Sequence, residues 1–387
     1  MLLYDATHTS HTPAQTGIQR VCRSLHTALA ARAPVQAICH DPYLNAWRSL
    51  TGSERRRLET AGDPGRSRGA KWSWSQKLSG YAQRALGRSE IPTGTAFVCP
   101  ELFSPTVGRE LPALLARVSG PRVAVFHDAI GLKLPELTPP GTVRRLPAYL
   151  RELLQFDGIA ANSQDSAASL RDYWTWLGVD ALPTIAAMPL GIDECHLISD
   201  IPSGVVPRVL CVGTIEGRKN HLALLAACET LWAAGVKFEL QLLGLARPDT
   251  AAAALARIDA LKAAGRPLIY DGPAGDAALQ NAYRRCAFTV YPSLIEGFGL
   301  PVLESLQHGK PCICSGKGAL GESTQGGGCV ALESVGAPAL AAAIRRLLEN
   351  PAELAALSSQ ARGRKFKTWT DYANELTTWM ASLPRRM

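Results

Sequence analysis

The sequence predicts an α/β chain built from two Rossmann-like, doubly wound parallel sheets. Three observations carry that expectation. The chain has 387 residues, more than one hydrophobic core usually supports, so two domains of ordinary size are expected. Its apolar fraction of 47% and charged fraction of 19% are those of an ordered globular chain. From Gly120 onward short β-rich runs alternate with helical segments, the pattern of parallel βαβ units.

In the first half, residues 123–126 read as a buried strand, 144–155 as a helix and 158–162 as a strand. A helix over 165–177 follows, with Ser163 and Asp165 as capping candidates. Near Met188-Pro189-Leu190-Gly191-Ile192-Asp193 the regularity lapses, and Pro202, Gly204 and Pro207 suit an interdomain linker, so the boundary is placed near residue 203. The second half restarts with a strand over 208–213, a helix over 221–234 and a strand over 237–243, one βαβ unit. Helices over 251–264, 276–286 and 301–308 alternate with strands over 268–270 and 288–291. The last segment, 369–383, is amphipathic, with Trp369, Tyr372, Leu376 and Trp379 at helical spacing, and is expected to return to the first domain. The domains are therefore 1–202, 203–367 and a terminal helix over 368–387, with an insertion at about 45–92.

Composition narrows the function classes. No apolar run approaches the ~20 residues of a bilayer span, and the N-terminus lacks the basic and apolar regions of a secretory signal. A cytoplasmic chain is expected. The ten cysteines are scattered, and Cys99, Cys211 and Cys329 lie in strand-like runs, so buried thiols are expected in place of disulfides. Cys312 and Cys314 would face one side of a strand without a second pair to complete a zinc site. The net charge of +8 favours an anionic partner without choosing which. Between Thr51 and Glu90, nine cations face four acids, with Trp72, Trp74 and Tyr81 interleaved. This stretch could lie on an anionic membrane surface, or it is a solvated insertion. It holds no recognisable nucleic-acid reading module, so no nucleic-acid partner is expected.

Two stretches carry chemistry. In Tyr291-Pro-Ser-Leu-Ile-Glu296-Gly297-Phe298-Gly299-Leu300-Pro301-Val-Leu-Glu304 a strand delivers the chain to a glycine-rich turn, and Pro301 then starts a helix. Free amides at such a helix start suit a diphosphate or sugar oxygens. Glu296 and Glu304 can reach different parts of one extended ligand, although two ordinary solvated glutamates beside a glycine turn would read the same. In Cys211-Val212-Gly213-Thr214-Ile215-Glu216-Gly217-Arg218-Lys219-Asn220-His221, adjacent cations at a strand's carboxyl end suit a leaving diphosphate. Lys219 offers a point charge and Arg218 a bidentate fork, and either could equally be an exposed helix-start residue.

The paired glutamates of Glu-Gly-Phe-Gly-Leu-Pro resemble the motif of the retaining glycosyltransferases of family four, which have the GT-B fold. The 213–220 loop is similar to that family's phosphate loop. Thr16-Gly17-Ile18-Gln19-Arg20, Phe126-His127-Asp128, Ala161-Asn162-Ser163, Pro189-Leu190-Gly191-Ile192-Asp193 and the 272–284 segment match further pieces in the right order. The resemblance implies two domains facing across a cleft. Glu304 would hold the donor ribose, Glu296 and the amides of Phe298, Gly299 and Leu300 the transferred sugar, and Lys219 with Arg218 the diphosphate. Gly17 would let the first domain approach that diphosphate, and His127 would face the reaction centre. His127, Glu296, Lys219 and Arg218 are thus the candidate catalytic residues. Thr214, placed among the donor contacts, stands where many members carry arginine, which makes the role of Arg218 less secure than that of Lys219.

No two aspartates lie two apart, so the metal-binding Asp-x-Asp element of another glycosyltransferase class is absent and no metal or other cofactor is expected. Cationic side chains and helix dipoles would then replace Mg²⁺. The resemblance implies retention by front-face attack, in which the departing phosphate accepts the acceptor's proton and His127 need not be a base. It points to a bacterial polysaccharide or O-antigen enzyme using GDP-mannose or a GDP-deoxyhexose such as GDP-rhamnose, with a UDP-sugar as runner-up. The acceptor would be a glycan, lipid-linked if the basic insertion meets the inner face of the cytoplasmic membrane. The rival readings are a nucleotide-sugar epimerase and a non-catalytic sugar-nucleotide binding module.

Overall fold

The computed structural model describes residues 1–14, 16–60, 69–87, 90–193, 206–247 and 250–386. The boundary expected near residue 203, and part of the basic stretch, lie outside the described residues. The chain divides into two compact units. The first gathers Met1–Ala129, Arg144–Asp193 and Lys367–Met387; the second holds Ile130–Val143 and Glu194–Phe366.

The first stretch of the chain runs β1 (Leu2–Asp5), α1 (Gly17–Ala30), β2 (Val35–Asp41), β3 (Ala46–Ser49), α2 (Gly52–Glu59), α3 (Trp74–Ala85), β4 (Ala96–Cys99), α4 (Pro105–Leu115) and β5 (Arg122–Phe126). After α5 (Ile130–Lys133) and α6 (Pro140–Glu152) come β6 (Gly158–Ala161), α7 (Gln164–Trp176) and β7 (Thr184–Ala187). The sheet order is β3-β2-β1-β4-β5-β6-β7, parallel except for the antiparallel β2–β3 hairpin. Its strands are short apolar runs buried on both faces, as a sheet covered by helices requires: Gly158–Ala161 is buried throughout. The Ser163 side chain caps α7 by accepting from the Ser166 amide at 3.0 Å.

The second stretch runs β8 (Arg208–Val212), α8 (His221–Ala233), β9 (Glu239–Leu243), α9 (Ala252–Ala263), β10 (Leu268–Tyr270), α10 (Asp276–Arg285), β11 (Phe288–Tyr291) and α11 (Leu300–Gln307). It continues with β12 (Cys312–Ser315), α12 (Gly318–Thr324), β13 (Cys329–Leu332), α13 (Ala337–Glu349) and α14 (Pro351–Gly363). This sheet is wholly parallel, in the order β10-β9-β8-β11-β12-β13. Chain order reverses between β8 and β11, the switch point where open α/β sheets collect ligands. Val209, Leu224, Leu240, Phe288, Ile313 and Ile344 belong to its principal core. The nine cysteines among the described residues are free thiols, all but Cys329 buried.

Helix α15 (Trp369–Ser382) belongs to the first unit. Its Thr368 cap forms a capping box with Asp371. Tyr372 and Leu376 are fully buried. Trp379 lies on β6, where a Cβ on Gly158 would sit 2.7 Å from the indole. The 188–193 stretch, expected as a linker, takes part in this docking: Ile192 pairs with Thr368 as a parallel bridge, and its amide donates to the Lys367 carbonyl at 2.9 Å. A Cβ on Gly191 would lie 2.6 Å from the Thr368 carbonyl, so only glycine lets the returning chain this close.

Candidate functional site

The loops that leave β8 and β11 meet at the switch point of the second sheet. After β8 the chain makes a short 3-10 turn over Gly217–Lys219, and Asn220 then takes a left-handed conformation, φ 55°, to open α8. The Asn220 amide group ties this loop to its neighbours, donating to the carbonyls of Pro292 at 3.2 Å and Val335 at 2.9 Å. After β11, the Leu294 amide donates to the Arg218 carbonyl at 2.9 Å. The two stretches singled out from the sequence are therefore one structure.

Its centre is a buried charge cluster. The Lys219 ammonium donates to Glu296 Oε1 at 2.6 Å and also to the Tyr291 hydroxyl, and it lies 4.7 Å from the Tyr291 ring centroid. Ser293 Oγ donates to the same carboxylate oxygen at 2.6 Å. Arg218 pairs with Glu296 Oε2 at 2.9 Å and with Glu216 at 2.8 Å. Burial alone would push the Glu296 carboxyl up, but the Lys219 and Arg218 charges outweigh it and hold the group down at about 2. Burial pulls the Lys219 ammonium below its ordinary value, and Glu296 draws it back. Two cations are thus held, partly dehydrated, at a strand's carboxyl end, where an arriving dianion would compete with carboxylates for them.

The glycine turn sits beside this cluster. Gly299 has φ 109°, and an added Cβ would fall 2.9 Å from Leu320 Cδ2 of α12. The turn opens α11, and the first amides of a helix have no intrahelical acceptor. Behind it, Ser323 Oγ donates to the Phe298 carbonyl at 2.9 Å. Glu304, one turn inside α11, is buried, and the Tyr283 hydroxyl donates to its Oε2 at 3.1 Å. Tyr283 stacks on His308 at 4.6 Å, which fixes the phenol. Glu296, Glu304, Lys219, Arg218 and the 298–300 turn all belong to the second unit, with Thr214 in the loop after β8.

Gly17 and His127 belong to the first unit. Gly17 opens α1 after Thr16, and a Cβ there would meet nothing within 4 Å, so the fold itself does not demand glycine at this position. His127 follows β5 and is buried. Its Nε2 donates to the Pro100 carbonyl at 2.7 Å, and Nδ1 accepts from Asn162 at 3.1 Å. Burial lowers its pKa, so the ring is neutral at neutral pH, and both nitrogens already have partners. That arrangement suits a fixed wall better than a proton acceptor.

Four participants escaped sequence reasoning: Tyr283, Tyr291, Ser293 and Glu216. Ser293, Glu216 and Tyr291 lay inside the quoted motifs without being given a role, and Tyr283 lay in the 272–284 segment at an ordinary helix position. A buried acid pair at the switch point of the first sheet was also missed. Glu101, after β4, accepts from the amides of His8 at 2.6 Å and Thr9 at 2.7 Å, and from the Thr9 hydroxyl. Asp5, the last residue of β1, accepts from the Thr7 amide at 2.9 Å and hydroxyl at 2.6 Å. His11, Cys39 and Glu54 form the single grouping with metal-ligand spacing among the described residues. There Arg48 already bridges both Glu54 oxygens at 2.8 Å, so a cation would have to displace a cation.

Two parallel doubly wound sheets of this kind define the GT-B fold of glycosyltransferases. Residues 206–350, which contain the whole charge cluster and glycine turn, match the family described as glycosyl transferases group 1. The serotype-specific mannosyltransferase WbdA of Escherichia coli is 26% identical over 347 residues, 81% of this chain and 38% of that protein. The chain thus spans well under half the length of that relative. O-antigen chain mannosyltransferase B of E. coli is 28% identical over 54% of this chain and 56% of its own. Among solved structures, sucrose-phosphate synthase from Thermosynechococcus elongatus superposes with a TM-score of 0.68 at 20% identity, over 98% of both chains. HepE from Anabaena, solved in complex with UDP-glucose, does so with a TM-score of 0.68 at 15% identity, over 99% of both chains.

Proposed function

We propose that this chain is a retaining glycosyltransferase that moves mannose, or a related deoxyhexose, from a GDP-sugar to a growing lipid-linked glycan without a metal ion. The observation that carries the reading is the Lys219–Glu296–Arg218 cluster beside the Gly299 turn, at the switch point of the second sheet. Lys219 and Arg218 would take the diphosphate, with Lys219 the better placed because Arg218 is shared with Glu216. The 298–300 amides and Glu296 would hold the sugar, and Glu304, steadied by Tyr283, the ribose diol. Mannosyltransferase relatives support the sugar; the UDP-glucose held by HepE supports a UDP-sugar as the second reading.

The test is a thermal-shift screen against GDP, UDP, ADP and their sugar conjugates in EDTA, followed by turnover of the donor that binds. A shift confined to guanine nucleotides, with a product of retained anomeric configuration by NMR, is expected. Lys219→Ala should lower turnover roughly 10²–10³-fold, the loss seen when one transition-state donor is removed, and Glu304→Ala should weaken donor binding. Wild-type kinetics in both variants would sink the site assignment. Conversion of the donor to an epimeric nucleotide-sugar in the absence of acceptor, with no net release of free nucleotide, would favour the epimerase.

A further inference from the structure

The basic, aromatic stretch belongs to the first unit, not to the charge cluster of the second, and it is built in an unusual sense. Helix α3 turns its small and polar side inward. Gly80 packs against Tyr43 and Leu44, where a Cβ would sit 2.8 Å from Tyr43 Cβ, and Gln76 donates to buried Glu54 at 2.6 Å. Before the helix, Trp72 stacks on His11 at 3.7 Å. The segment is therefore anchored. Its opposite side carries Trp74, Leu78 and Tyr81, spaced i, i+4, i+7 along one stripe, with 79%, 65% and 56% of their surface exposed. An ordinary surface helix does the reverse, burying its apolar stripe and showing water its polar face.

The charges say what could cover this stripe. Between Gly69 and Gly87 the chain carries Lys71, Lys77 and Arg84 and no acid. The Lys77 ammonium stands 5.3 Å from the Trp74 ring, at the stripe's edge. A second copy would bring three like charges against these three, which costs association energy. An anionic lipid surface offers what the face lacks: phosphates for the cations, and an interfacial layer where Trp and Tyr sit with their apolar bodies inward and polar tips in water.

We propose that α3 is an interfacial helix that docks the first unit on an anionic lipid surface, with Trp74, Leu78 and Tyr81 among the headgroups and Lys71, Lys77 and Arg84 on their phosphates. This deepens the lipid-linked acceptor of the proposed function and rests on it only for the choice of acceptor. Docking itself is read without turnover. The experiment is cosedimentation with vesicles of phosphatidylglycerol and phosphatidylcholine, and with phosphatidylcholine alone, at low and high salt. The wild type should follow the anionic vesicles and be released by salt. Trp74→Ser/Leu78→Ser/Tyr81→Ser and Lys71→Gln/Lys77→Gln/Arg84→Gln should each weaken vesicle binding at least roughly tenfold. Both triple variants change exposed or edge positions and should keep the wild-type nucleotide shift. No binding to anionic vesicles, binding unchanged by either variant, or a dimer abolished by the first variant would overturn the proposal. A wild type that shows its nucleotide shift but no binding to anionic vesicles sinks the surface alone, and one that binds vesicles without any nucleotide shift sinks the donor reading alone.

Discussion

Asp5 stands at the carboxyl end of β1 with Glu101 as neighbour, and the two shape how the first unit responds to pH. Burial, and then the Glu101 charge, raise the Asp5 carboxyl from 3.8 to about 7, against the Thr7 hydrogen bonds that favour its ionised form. Glu101 is raised as well, chiefly by burial. Between about pH 4 and 7 the folded unit therefore holds a proton that the unfolded chain has released, so this site's contribution falls as pH rises through that window. Buried His127 and His40 act in the opposite sense, because burial lowers their pKa and folding expels their protons. The useful quantity is thus the difference between the wild type and Asp5→Asn, which keeps an acceptor for Thr7 but cannot titrate. Hydrogen exchange of the β1 and β4 amides, corrected for intrinsic rates, should show protection falling by on the order of 2–4 kcal/mol more in the wild type than in the variant from pH 4.5 to 7.5. Parallel profiles would show that the pair does not hold the proton.

At the scale of the element, the turn between β11 and α11 does the most with the fewest residues. A side chain at Gly299 must adopt a conformation that L residues rarely occupy and must also move Leu320 of α12. Gly299→Ala should therefore cost about 1–3 kcal/mol and tilt the amides that open α11. The expected result is a lowered Tm for the second unit together with a donor affinity loss larger than that of Leu320→Ala, which relieves packing without bending the turn. Equal losses in the two variants would make Gly299 a packing residue only. This turn was legible in the sequence because strand, glycines, Pro301 and helix follow one another without interruption. The same holds for β8, α8 and β9, where a short β-rich run, a long leucine- and alanine-rich run and a second short β-rich run follow one another. What could not be read were partners set by non-consecutive strands. Tyr291 meets Lys219 only because β11 lies beside β8, and Tyr283 meets Glu304 only because α10 packs beside α11. The first 120 residues were opaque because the strand–helix alternation is broken there: β2 turns directly into the antiparallel β3, and two helices, α2 and α3, intervene before β4. The 188–193 motif read as a linker because what it touches, the start of α15, lies more than 170 residues further along the chain.

On the scale of the whole chain, the first unit is not finished until the sequence is nearly spent. After lending Ile130–Val143 to the second unit, the chain leaves the first at Asp193, builds the rest of the second, and comes back at Lys367. The returning segment closes a core: Trp369, Tyr372, Leu376 and Met380 are buried, and α15 packs on α1 and β6. Beyond it, the Arg386 amide donates to Asp157 at 2.7 Å, the carboxylate that Arg122 holds at 2.6 Å at the start of β5. Four large side chains at about 1.5–3 kcal/mol each are comparable to the whole stability of a typical domain. The second unit needs none of this, since its sheet is drawn from one stretch and its principal core from residues 209–347. A chain ending at Phe366 should consequently fail unevenly. Calorimetry should show the first unit's transition lowered by at least roughly 10 °C or lost. The second unit's transition should stay near its wild-type temperature and still rise with the nucleotide that shifts the full chain. Gly191→Val, which drives a branched side chain into the Thr368 carbonyl, should reproduce the same asymmetry without truncation. If both transitions fell together in either variant, the terminal helix would be a support for the entire molecule, and the independence of the second unit from the returning segment would have to be abandoned.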